Sequence, residues 1–345
     1  MLKKIAVIAL SIGMGISALS AQTKELLGAG ATFPQPLYSK IFQEYSKKGV
    51  NVNYQAIGSG GGINQLIAKT TDFGGTDAIM SSEEESKAGA PILHIPTCLG
   101  AVVVSYNLQL GANQRLKMSS ALISDIFLGK IVVWNDKRIA AENPGIKLPA
   151  LPITVVYRSD GSGTTYIFTE YLAKVSTVWD KTVGNGKSVK WPIGIGAKGN
   201  PGVAGTINQT PGAIGYVELI YALSNKMPYA LVKNKTGKYI NPDMKTVSLA
   251  AAKGIPANTK VSLTNTDSKD GYPISSFTWI ILYKEQNYNG RSLDQAKKTV
   301  ELIKWMVTSG QNFAPSLHYA KLPKDAQTKA LALLNSVTFN GKPIK

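Results

Sequence analysis

The segment RSDGSGTT, which begins at Arg158, places residues capable of binding or acid–base chemistry in one short loop. Arg158 supplies a fixed positive charge and Asp160 a negative one, while Ser162 and Thr164 supply hydroxyl groups on either side of Gly163. The loop directly follows the apolar run LPITVVY. This combination is compatible with a turn, with the elbow that presents a nucleophilic serine, or with a cradle for an anion.

Two further junctions, GAGATFP and GSGGG, carry Thr32 and Ser59 between a predicted strand and a predicted helix. Open α/β sheets bind ligands outside the carboxyl ends of their strands. Helix N-termini there leave N–H groups without partners and carry partial positive charge. We expect Pro34 to be the first helical residue after the first junction, with Thr32 as a candidate N-cap whose hydroxyl faces its own helix or a ligand. Each junction alone is a simple cap, but three directed at one point would form an anion site.

Two rival site chemistries fail on spacing. A nucleophile elbow needs glycine two residues before and two after the serine, and neither Ser59 nor Ser162 has both. A Walker loop needs glycine five residues before its Gly-Lys pair, and Lys181 stands there ahead of Gly186. The sequence therefore gives little support to acyl transfer or to mononucleotide binding.

Metal and histidine chemistry are also disfavoured. The chain has only two histidines, of which we expect His94 to be packed in an apolar strand and His318 to lie at the surface. They cannot supply a zinc site of the usual kind. The acids of SSEEESK follow Ser81, which is typical of a capped first helical turn stabilised by the helix dipole. We expect no metal, no cofactor and no catalytic residue.

The elements that must position these loops follow an α/β pattern. Apolar runs typical of strands alternate with segments whose apolar residues recur at helical spacing. ILHIPTCLGAVVVSYN holds two apolar runs, SSALISDIFLGKI predicts a capped helix, and TTYIFTEYLAKV predicts a helix after the Arg158 loop. Near the end, SSFTWIILY predicts a strand and SLDQAKKTVELIKWMVTSG an amphipathic helix. A chain of 345 residues with 44% hydrophobic composition can form two domains with real cores.

The N-terminus predicts export. Residues 1–21 carry two lysines, an apolar stretch and small residues, in the order of a secretory signal peptide. The apolar stretch is shorter than the roughly 20 residues that a membrane-spanning helix needs. Cys98 is the only cysteine, so no internal disulfide forms and no cysteine is available for lipid attachment at the cleavage region. We expect a periplasmic protein in which Cys98 is a small buried hydrophobe.

The net charge of +17 raises the possibility of a nucleic-acid partner. However, the lysines stand singly or in pairs, without a basic run or interleaved aromatic residues. Dispersed charge of this kind is typical of a solvated surface. We therefore expect no specific binding of nucleic acid.

Several long motifs, in one order, carry a family resemblance over nearly the whole chain after residue 21. They are GAGATFPQPLY, YQAIGSGGGINQLIA, TDFGGTDA, IFLGKIVVWND, VVYRSDGSGTT, VKWPIGIGAKGNPGVAG, PGAIGYVE and GYPISSFTWIIL. Together they closely resemble the periplasmic phosphate-binding proteins of the Pst-type ABC importers. The resemblance implies a two-lobed periplasmic-binding-protein fold, with two crossovers between the lobes and the ligand in the cleft.

The resemblance also implies how the chain divides. Lobe I would comprise residues 22–104 and 272–345, and lobe II residues 105–271, with the crossovers near VSYN and KDGYPI. The expected motion is hinge closure around a ligand.

The family's phosphate contacts correspond to eight positions in this sequence. They are Thr32, Phe33, Ser59, Asp77, Arg158, Ser162, Gly163 and Thr164. Asp160 corresponds to an acid that pairs with the arginine. The family often has a second serine where this chain has Gly60, so a further hydroxyl contact is in question here while the main one, Ser59, is kept.

An acid in an anion site has a physical explanation. Inorganic phosphate near neutral pH keeps at least one proton, so a buried Asp77 carboxylate can accept it, whereas sulfate offers no proton and would face a like charge. The resemblance implies a receptor that binds phosphate and delivers it, unchanged, to an inner-membrane ABC permease with its ATPase subunits, and the proton argument agrees with phosphate as the ligand. The alternatives are a receptor for another oxyanion such as sulfate or molybdate, an exported phosphoester hydrolase, and a nucleic-acid binder.

Overall fold

The computed structural model describes residues 25–111 and 114–344. The predicted signal peptide lies outside them. Within these ranges the strands are β1 (Leu26–Gly30), β2 (Val52–Ala56), β3 (Phe73–Thr76), β4 (Ile92–Tyr106), β5 (Lys117–Met118), β6 (Thr154–Arg158), β7 (Ile195–Ala197), β8 (Ala213–Glu218), β9 (Leu231–Lys233), β10 (Tyr239–Ile240), β11 (Ser275–Tyr283), β12 (Thr338–Phe339) and β13 (Lys342–Pro343).

The α-helices alternate with these strands, as the sequence predicts for an α/β protein. They are α1 (Gln35–Ser46), α2 (Ser59–Ile67), α3 (Ser82–Ala88), α4 (Ser120–Phe127), α5 (Lys137–Glu142), α6 (Gly163–Val175), α7 (Thr177–Thr182), α8 (Gly199–Gln209), α9 (Leu219–Ser224), α10 (Met244–Ala250), α11 (Leu293–Val307) and α12 (Lys324–Asn335).

The main sheet has the strand order β2-β1-β3-β11-β4-β8-β6-β7. In its first part, β2, β1 and β3 are parallel, so their carboxyl ends meet at one edge. In its second part, β8, β6 and β7 are parallel in the same way. These two edges carry the glycine-rich junctions that the sequence singled out.

Strand β4 joins the two parts of the sheet. Its residues up to Ala101 pair with β11, and those from Val102 onward pair with β8, both antiparallel. The two apolar runs seen in the sequence are therefore one continuous strand of 15 residues, almost all of it buried. A strand covered on both faces has a nearly uninterrupted apolar sequence.

Local signals in the sequence agree with the helix ends in most places. Ser81 caps α3 through a capping box with Glu84, and Ser119 caps α4. The expectation for α1 was wrong by one residue, because the helix begins at Gln35 and Pro34 occupies the N-cap position. Pro34 lacks an N–H to contribute but its carbonyl still accepts from Tyr38 at 2.8 Å.

The core fills both parts of the molecule. Trp134 and Trp179 are fully buried in the part that contains β6 and β8, and Trp279 is buried on β11. Phe168 stacks on Tyr216 with ring centroids 4.5 Å apart, which fixes α6 against β8. Cys98 is also fully buried, as the sequence predicted. The Phe168–Tyr216 contact holds the helix whose N-terminus carries Ser162 and Gly163.

Candidate functional site

The N-termini of α2 and α6 meet across the molecule. The Gly60 N–H donates to the Gly161 carbonyl at 2.8 Å, and the Gly163 N–H donates to Ser59 Oγ at 3.1 Å. Ser162 is the N-cap of α6 and accepts from the Thr165 N–H at 3.0 Å. Two positive helix ends are thus directed at one buried region.

Glycine is required where these two helices approach. A Cβ on Gly163 would lie 2.5 Å from Ser59 Oγ and 2.6 Å from Asp77 Cβ. Gly58 has φ +90°, and a Cβ there would lie 2.3 Å from an Asp160 carboxylate oxygen. The close approach of backbone to backbone therefore depends on the absence of side chains at these positions.

Asp77 lies directly behind this junction. Its side chain is buried, its N–H donates to Ser59 Oγ at 3.2 Å, and Thr278 Oγ1 donates to its carboxylate. Burial raises the pKa of Asp77 to about 7, against the opposing effects of the Thr278 hydrogen bond and the Arg158 charge. Asp77 is therefore an acid that gains or loses a proton near neutral pH.

Arg158 supplies positive charge to the same region. Its Nε and Nη2 donate to the two carboxylate oxygens of Asp160 at 2.8 and 2.6 Å, and its side chain is only 1% exposed. Burial by itself would raise the pKa of Asp160, but the Arg158 hydrogen bonds and charge outweigh it and hold that pKa below its usual value. This bidentate pair fixes the guanidinium and leaves Nη1 directed at Thr164 Oγ1, at 3.3 Å.

The first junction contributes Thr32 and Phe33. The Thr32 hydroxyl does not cap α1; it accepts instead from the N–H and the Nδ2 of Asn200, at 3.1 and 2.9 Å. Phe33 is fully buried, and its carbonyl accepts from the Tyr319 hydroxyl at 2.6 Å. Thr32 therefore ties the loop to α8, in the part of the molecule that carries β8, and Phe33 ties it to the segment at Tyr319, which lies beside the first half of β4.

All of the residues predicted for the site come together in this region. Each of the predicted side chains named here is buried or nearly so: Thr32, Ser59, Asp77, Arg158, Ser162 and Thr164. The predicted partnership of Asp160 with Arg158 is present as an ion pair.

Sequence reasoning missed four residues that belong to the same hydrogen-bond network. Asn200 joins Thr32 to Thr164, Thr278 contacts Asp77, the Tyr221 hydroxyl donates to the Thr32 carbonyl at 2.6 Å, and Glu218 caps α9 through the Ile220 N–H at 2.6 Å. Burial raises the pKa of Glu218 well above its usual value. The one usable signal was a glycine, Gly199, which the structure places at the first position of α8, as glycines also occur at the other junctions.

The remaining polar groups singled out in the sequence serve other purposes. His94 is buried and its Nε2 accepts from the Met80 N–H at 3.2 Å, and burial lowers its pKa to about 3. His318 is exposed, as predicted. Across residues 25–111 and 114–344, no group of three or more histidine, cysteine or acidic side chains is arranged to hold a metal ion.

The arrangement can bind a small oxyanion that carries a proton. Helix N–H groups, hydroxyls and one guanidinium can donate to oxygen, and Asp77 can accept from a protonated oxygen. No helix in the described part of the chain combines the length and apolar character needed to cross a membrane.

Comparisons with known proteins agree with this chemistry. A model of the PBP superfamily domain matches residues 17–309. A phosphate-binding protein PstS from Xylella fastidiosa is 42% identical over 311 residues, covering 89% of this chain and 84% of that protein. A protein of the same name from Pasteurella multocida is 41% identical, covering 94% and 93%.

Solved structures share the fold at lower identity. The crystal structure of a phosphate-binding protein from Stenotrophomonas maltophilia has a TM-score of 0.69 at 18% identity, covering 90% of this chain and 93% of that one. This likeness agrees with a two-lobed periplasmic-binding-protein fold, and in this chain β4 runs through both α/β parts of the sheet. By superfamily domain and by relatives above 40% identity over most of its length, this chain belongs to the PstS family of periplasmic-type binding proteins.

Proposed function

We propose that this protein is a receptor that binds inorganic phosphate and releases it unchanged to an ABC-type importer. The observation that carries the proposal is that a buried acid, Asp77, lies among predicted contact residues that otherwise offer hydrogen-bond donors. The names of its PstS relatives support the same ligand.

The donors account for affinity. We propose that the phosphate oxygens accept from the hydroxyls and backbone N–H groups of Thr32, Phe33, Ser59, Ser162, Gly163 and Thr164, and from the guanidinium of Arg158. A bidentate partner such as Asp160 keeps that guanidinium in one orientation, so less conformational entropy is lost when the anion binds.

The acid accounts for selectivity. The Asp77 carboxylate is hydrogen-bonded by Thr278 and by Ser59, and because a carboxylate has about four lone-pair sites it can still accept the proton of phosphate. Sulfate has no proton at neutral pH, so it would place an oxygen lone pair against a buried carboxylate. Sites that require a substrate hydrogen bond reject analogues lacking it by roughly 10⁴ to 10⁵.

Ligand entry requires the two parts of the molecule to separate. We propose lobe I as residues 22–104 and 272–345 and lobe II as residues 105–271, joined by hinges at β4 and before β11. The contacts between Ser59 and Gly163 and between Thr32 and Asn200 would form on closure. Two ion pairs, Lys187–Glu84 and Lys260–Glu85, span the same division and would also close with it.

The compartment and partners follow from this function. We propose that residues 1–21 are a signal peptide and that the mature protein works in the periplasm. It would deliver phosphate to an inner-membrane permease and its ATPase subunits, without a cofactor and without chemistry on the ligand. Because the charge of +17 is dispersed along the chain, we propose no specific nucleic-acid partner.

Calorimetry on the mature chain tests the proposal. The protein is unfolded, washed free of bound anion, refolded, and titrated with phosphate, sulfate and arsenate. We expect heat and 1:1 binding with phosphate, and no heat with sulfate at the same concentrations. Heat with sulfate and none with phosphate would establish the receptor for another oxyanion instead. Sustained release of phosphate from a model ester would support the hydrolase alternative.

A further inference from the structure

Two sequence segments that the anion site does not use meet across the division between the lobes. The segment GNGKS, which lacks the spacing of a Walker loop, contains Lys187, and the acidic segment SSEEESK contains Glu84. Lys187 Nζ donates to Glu84 Oε2 at 2.7 Å, although the two residues are 103 positions apart in the chain. Under the proposed division of the chain, this ion pair joins lobe II to lobe I.

The segment that carries Lys187 is fixed to α6. The Lys187 carbonyl accepts from the N–H of Ser162, the N-cap of α6, at 2.8 Å. One residue earlier, the Gly186 N–H donates to Thr169 Oγ1 at 3.2 Å, which lies further along the same helix. Because both bonds hold the segment to α6, Lys187 has to move with the helix whose N-terminus carries the predicted phosphate contacts.

The helix that carries Glu84 is fixed to lobe I at both ends. Just before α3, the Met80 N–H donates to His94 Nε2 on β4 at 3.2 Å. At its last residue, the Ala88 carbonyl accepts from the Tyr283 hydroxyl on β11 at 3.3 Å. The ion pair therefore connects two rigid parts of the molecule, one in each lobe.

The Glu84 carboxylate is also held in place within its own helix. Its Oε2, which accepts from Lys187, accepts from the Ser81 N–H at 2.9 Å in the capping box of α3. A carboxylate that is already oriented loses less conformational entropy when a second partner binds to it.

The pair is better shielded from water than the local ion pairs of the same helix. The Lys187 and Glu84 side chains are 17% and 20% exposed, whereas those of Lys87 and Glu83, which pair within α3, are 63% and 76% exposed. Exposed pairs contribute little to stability, and partly buried ones are screened less by salt. Lys187–Glu84 is therefore a pair that can stabilise the closed arrangement of the lobes.

The second ion pair across the division, Lys260–Glu85, differs in its surroundings. Next to Lys260, the Thr259 hydroxyl donates to the His94 carbonyl, and the Thr259 carbonyl accepts from Trp279 Nε1 at 3.1 Å. These two bonds to lobe I keep Lys260 close to Glu85 with or without the ion pair. We therefore expect this pair to add little to closure.

We propose that Lys187 and Glu84 form a latch that prolongs the closed, phosphate-bound state of the receptor. The pair forms after the ligand has entered, and it must break before the ligand can leave. It therefore governs the rate of phosphate release and has little effect on the rate of capture. This inference rests on the proposed function and deepens it, because it assigns residues outside the anion site to the timing of delivery.

Glu84→Gln and Lys187→Met each remove one charge of the latch and keep the neighbouring bonds. Glutamine can still accept from the Ser81 N–H, and the Lys187 carbonyl that binds Ser162 belongs to the backbone. Each variant is loaded with phosphate and mixed with excess enzyme that consumes free phosphate with a change in absorbance. We expect release about three- to tenfold faster than in the wild type. Release at the wild-type rate in both variants would overturn the proposal.

The rate of capture separates a latch from attraction of the anion by surface charge. Calorimetry gives the dissociation constant, and the release rate divided by this constant gives the capture rate. A latch predicts capture close to the wild-type rate in both variants. If charge acted by attraction, capture would be slower in Lys187→Met and faster in Glu84→Gln, and that result would refute the latch.

Coupling between the two residues provides a second test. Because either change breaks the same pair, the double variant should release phosphate no faster than the faster single variant, whereas multiplied effects would count against the proposal. Raising NaCl from about 0.05 to about 0.5 M should speed release in the wild type and have a much smaller effect in the variants. Equal salt dependence in all of them would also contradict a latch.

Matched controls change the same charges nearby. Glu83→Gln alters the adjacent, exposed acid of α3, and Lys190→Met alters an exposed lysine three residues after Lys187. Both should release phosphate at the wild-type rate. Absence of phosphate binding in the wild type would overturn the proposed function, whereas normal binding with unchanged release in the latch variants would overturn only this inference.

Discussion

The Gly163 N–H donates to Ser59 Oγ at 3.1 Å, and this contact brings the first turn of α6 against the first residue of α2. A methyl group on Gly163 would occupy the space of Ser59 Oγ and of Asp77 Cβ. The two helix ends can meet only because residue 163 has no side chain.

Gly163→Ala is therefore expected to prevent close approach of the two lobes and to weaken phosphate binding by about ten- to a hundredfold, judging from the roughly 1–3 kcal/mol that overpacking typically costs. The matched control is Gly205→Ala in α8, where an added Cβ would meet nothing within 4 Å. That variant should bind normally and be more stable by about 0.5–1 kcal/mol. Calorimetry and chemical unfolding measure the two effects, and normal affinity in Gly163→Ala would refute the assignment.

Asp77→Asn should reduce the discrimination between phosphate and sulfate. The amide carries no charge and can donate to a sulfate oxygen, so the ratio of the two affinities should fall by about a hundredfold or more. The exposed Asp267→Asn provides a control with the same change of net charge. Titration of each variant with both anions measures the ratio, and a ratio equal to that of the wild type would remove the selective role from Asp77.

Arg158→Ala should weaken phosphate binding by about a hundredfold, since it removes the positive charge and leaves Asp160 without its partner. Asp160→Asn keeps the arginine but loosens its orientation, so its effect should be smaller, about tenfold. Arg138 pairs with Asp136 at the same two-residue spacing but is 43% exposed, which makes Arg138→Ala a suitable control. If Asp160→Asn were the more damaging variant, Asp160 would itself be required for contact with the ligand.

Two buried groups should give opposite pH dependence of stability in the anion-free protein. The pKa of Asp77 is raised to about 7 on folding, so its contribution to the free energy of unfolding is present at low pH and is lost as the pH rises through 7. The pKa of His94 is lowered to about 3, so its contribution is present above its unfolded pKa and is lost as the pH falls toward 3.

These contributions oppose each other between about pH 4 and 7, each changing by roughly 3 kcal/mol over the window. The loss in free energy of unfolding caused by Asp77→Asn, relative to the wild type, should therefore become smaller as the pH rises. The loss caused by His94→Gln should become smaller as the pH falls. Urea unfolding in phosphate-free buffer at several pH values measures both slopes. Parallel slopes for the wild type and a variant would show that the group concerned does not titrate differently on folding.

Local features of the structure were predictable because they depend on neighbours in sequence. Ser162 caps α6 and Ser81 caps α3 through bonds that span three residues, and the strand β6 is an apolar run that ends at the loop. The sequence also indicated which junctions would contribute to one site, and its motifs indicated the family. Each of these inferences uses spacing along the chain.

Other features depend on groups far apart in sequence. The continuity of β4 through both parts of the sheet is set by its partners β11 and β8, which lie over a hundred residues later in the chain. The sequence predicted Thr32 as a candidate N-cap of the first helix, yet its hydroxyl accepts a hydrogen bond from Asn200, 168 residues away. Apart from Gly199, nothing near Asn200 in the sequence marks it, because its four contacts come from two separate junctions, at Thr32 and Thr164, and from the end of β8.

The sequence by itself determined the alternation of strands and helices, the three glycine junctions, and the residue types that could bind a protonated oxyanion. The tertiary structure alone decided that Asp77 would be buried and so titrate near neutral pH, and that the site hydroxyls would already accept from other groups. Burial and hydrogen bonds of this kind are properties of residues that meet in space. They are therefore fixed only when the two lobes bring the N-termini of α2, α6 and α8 together.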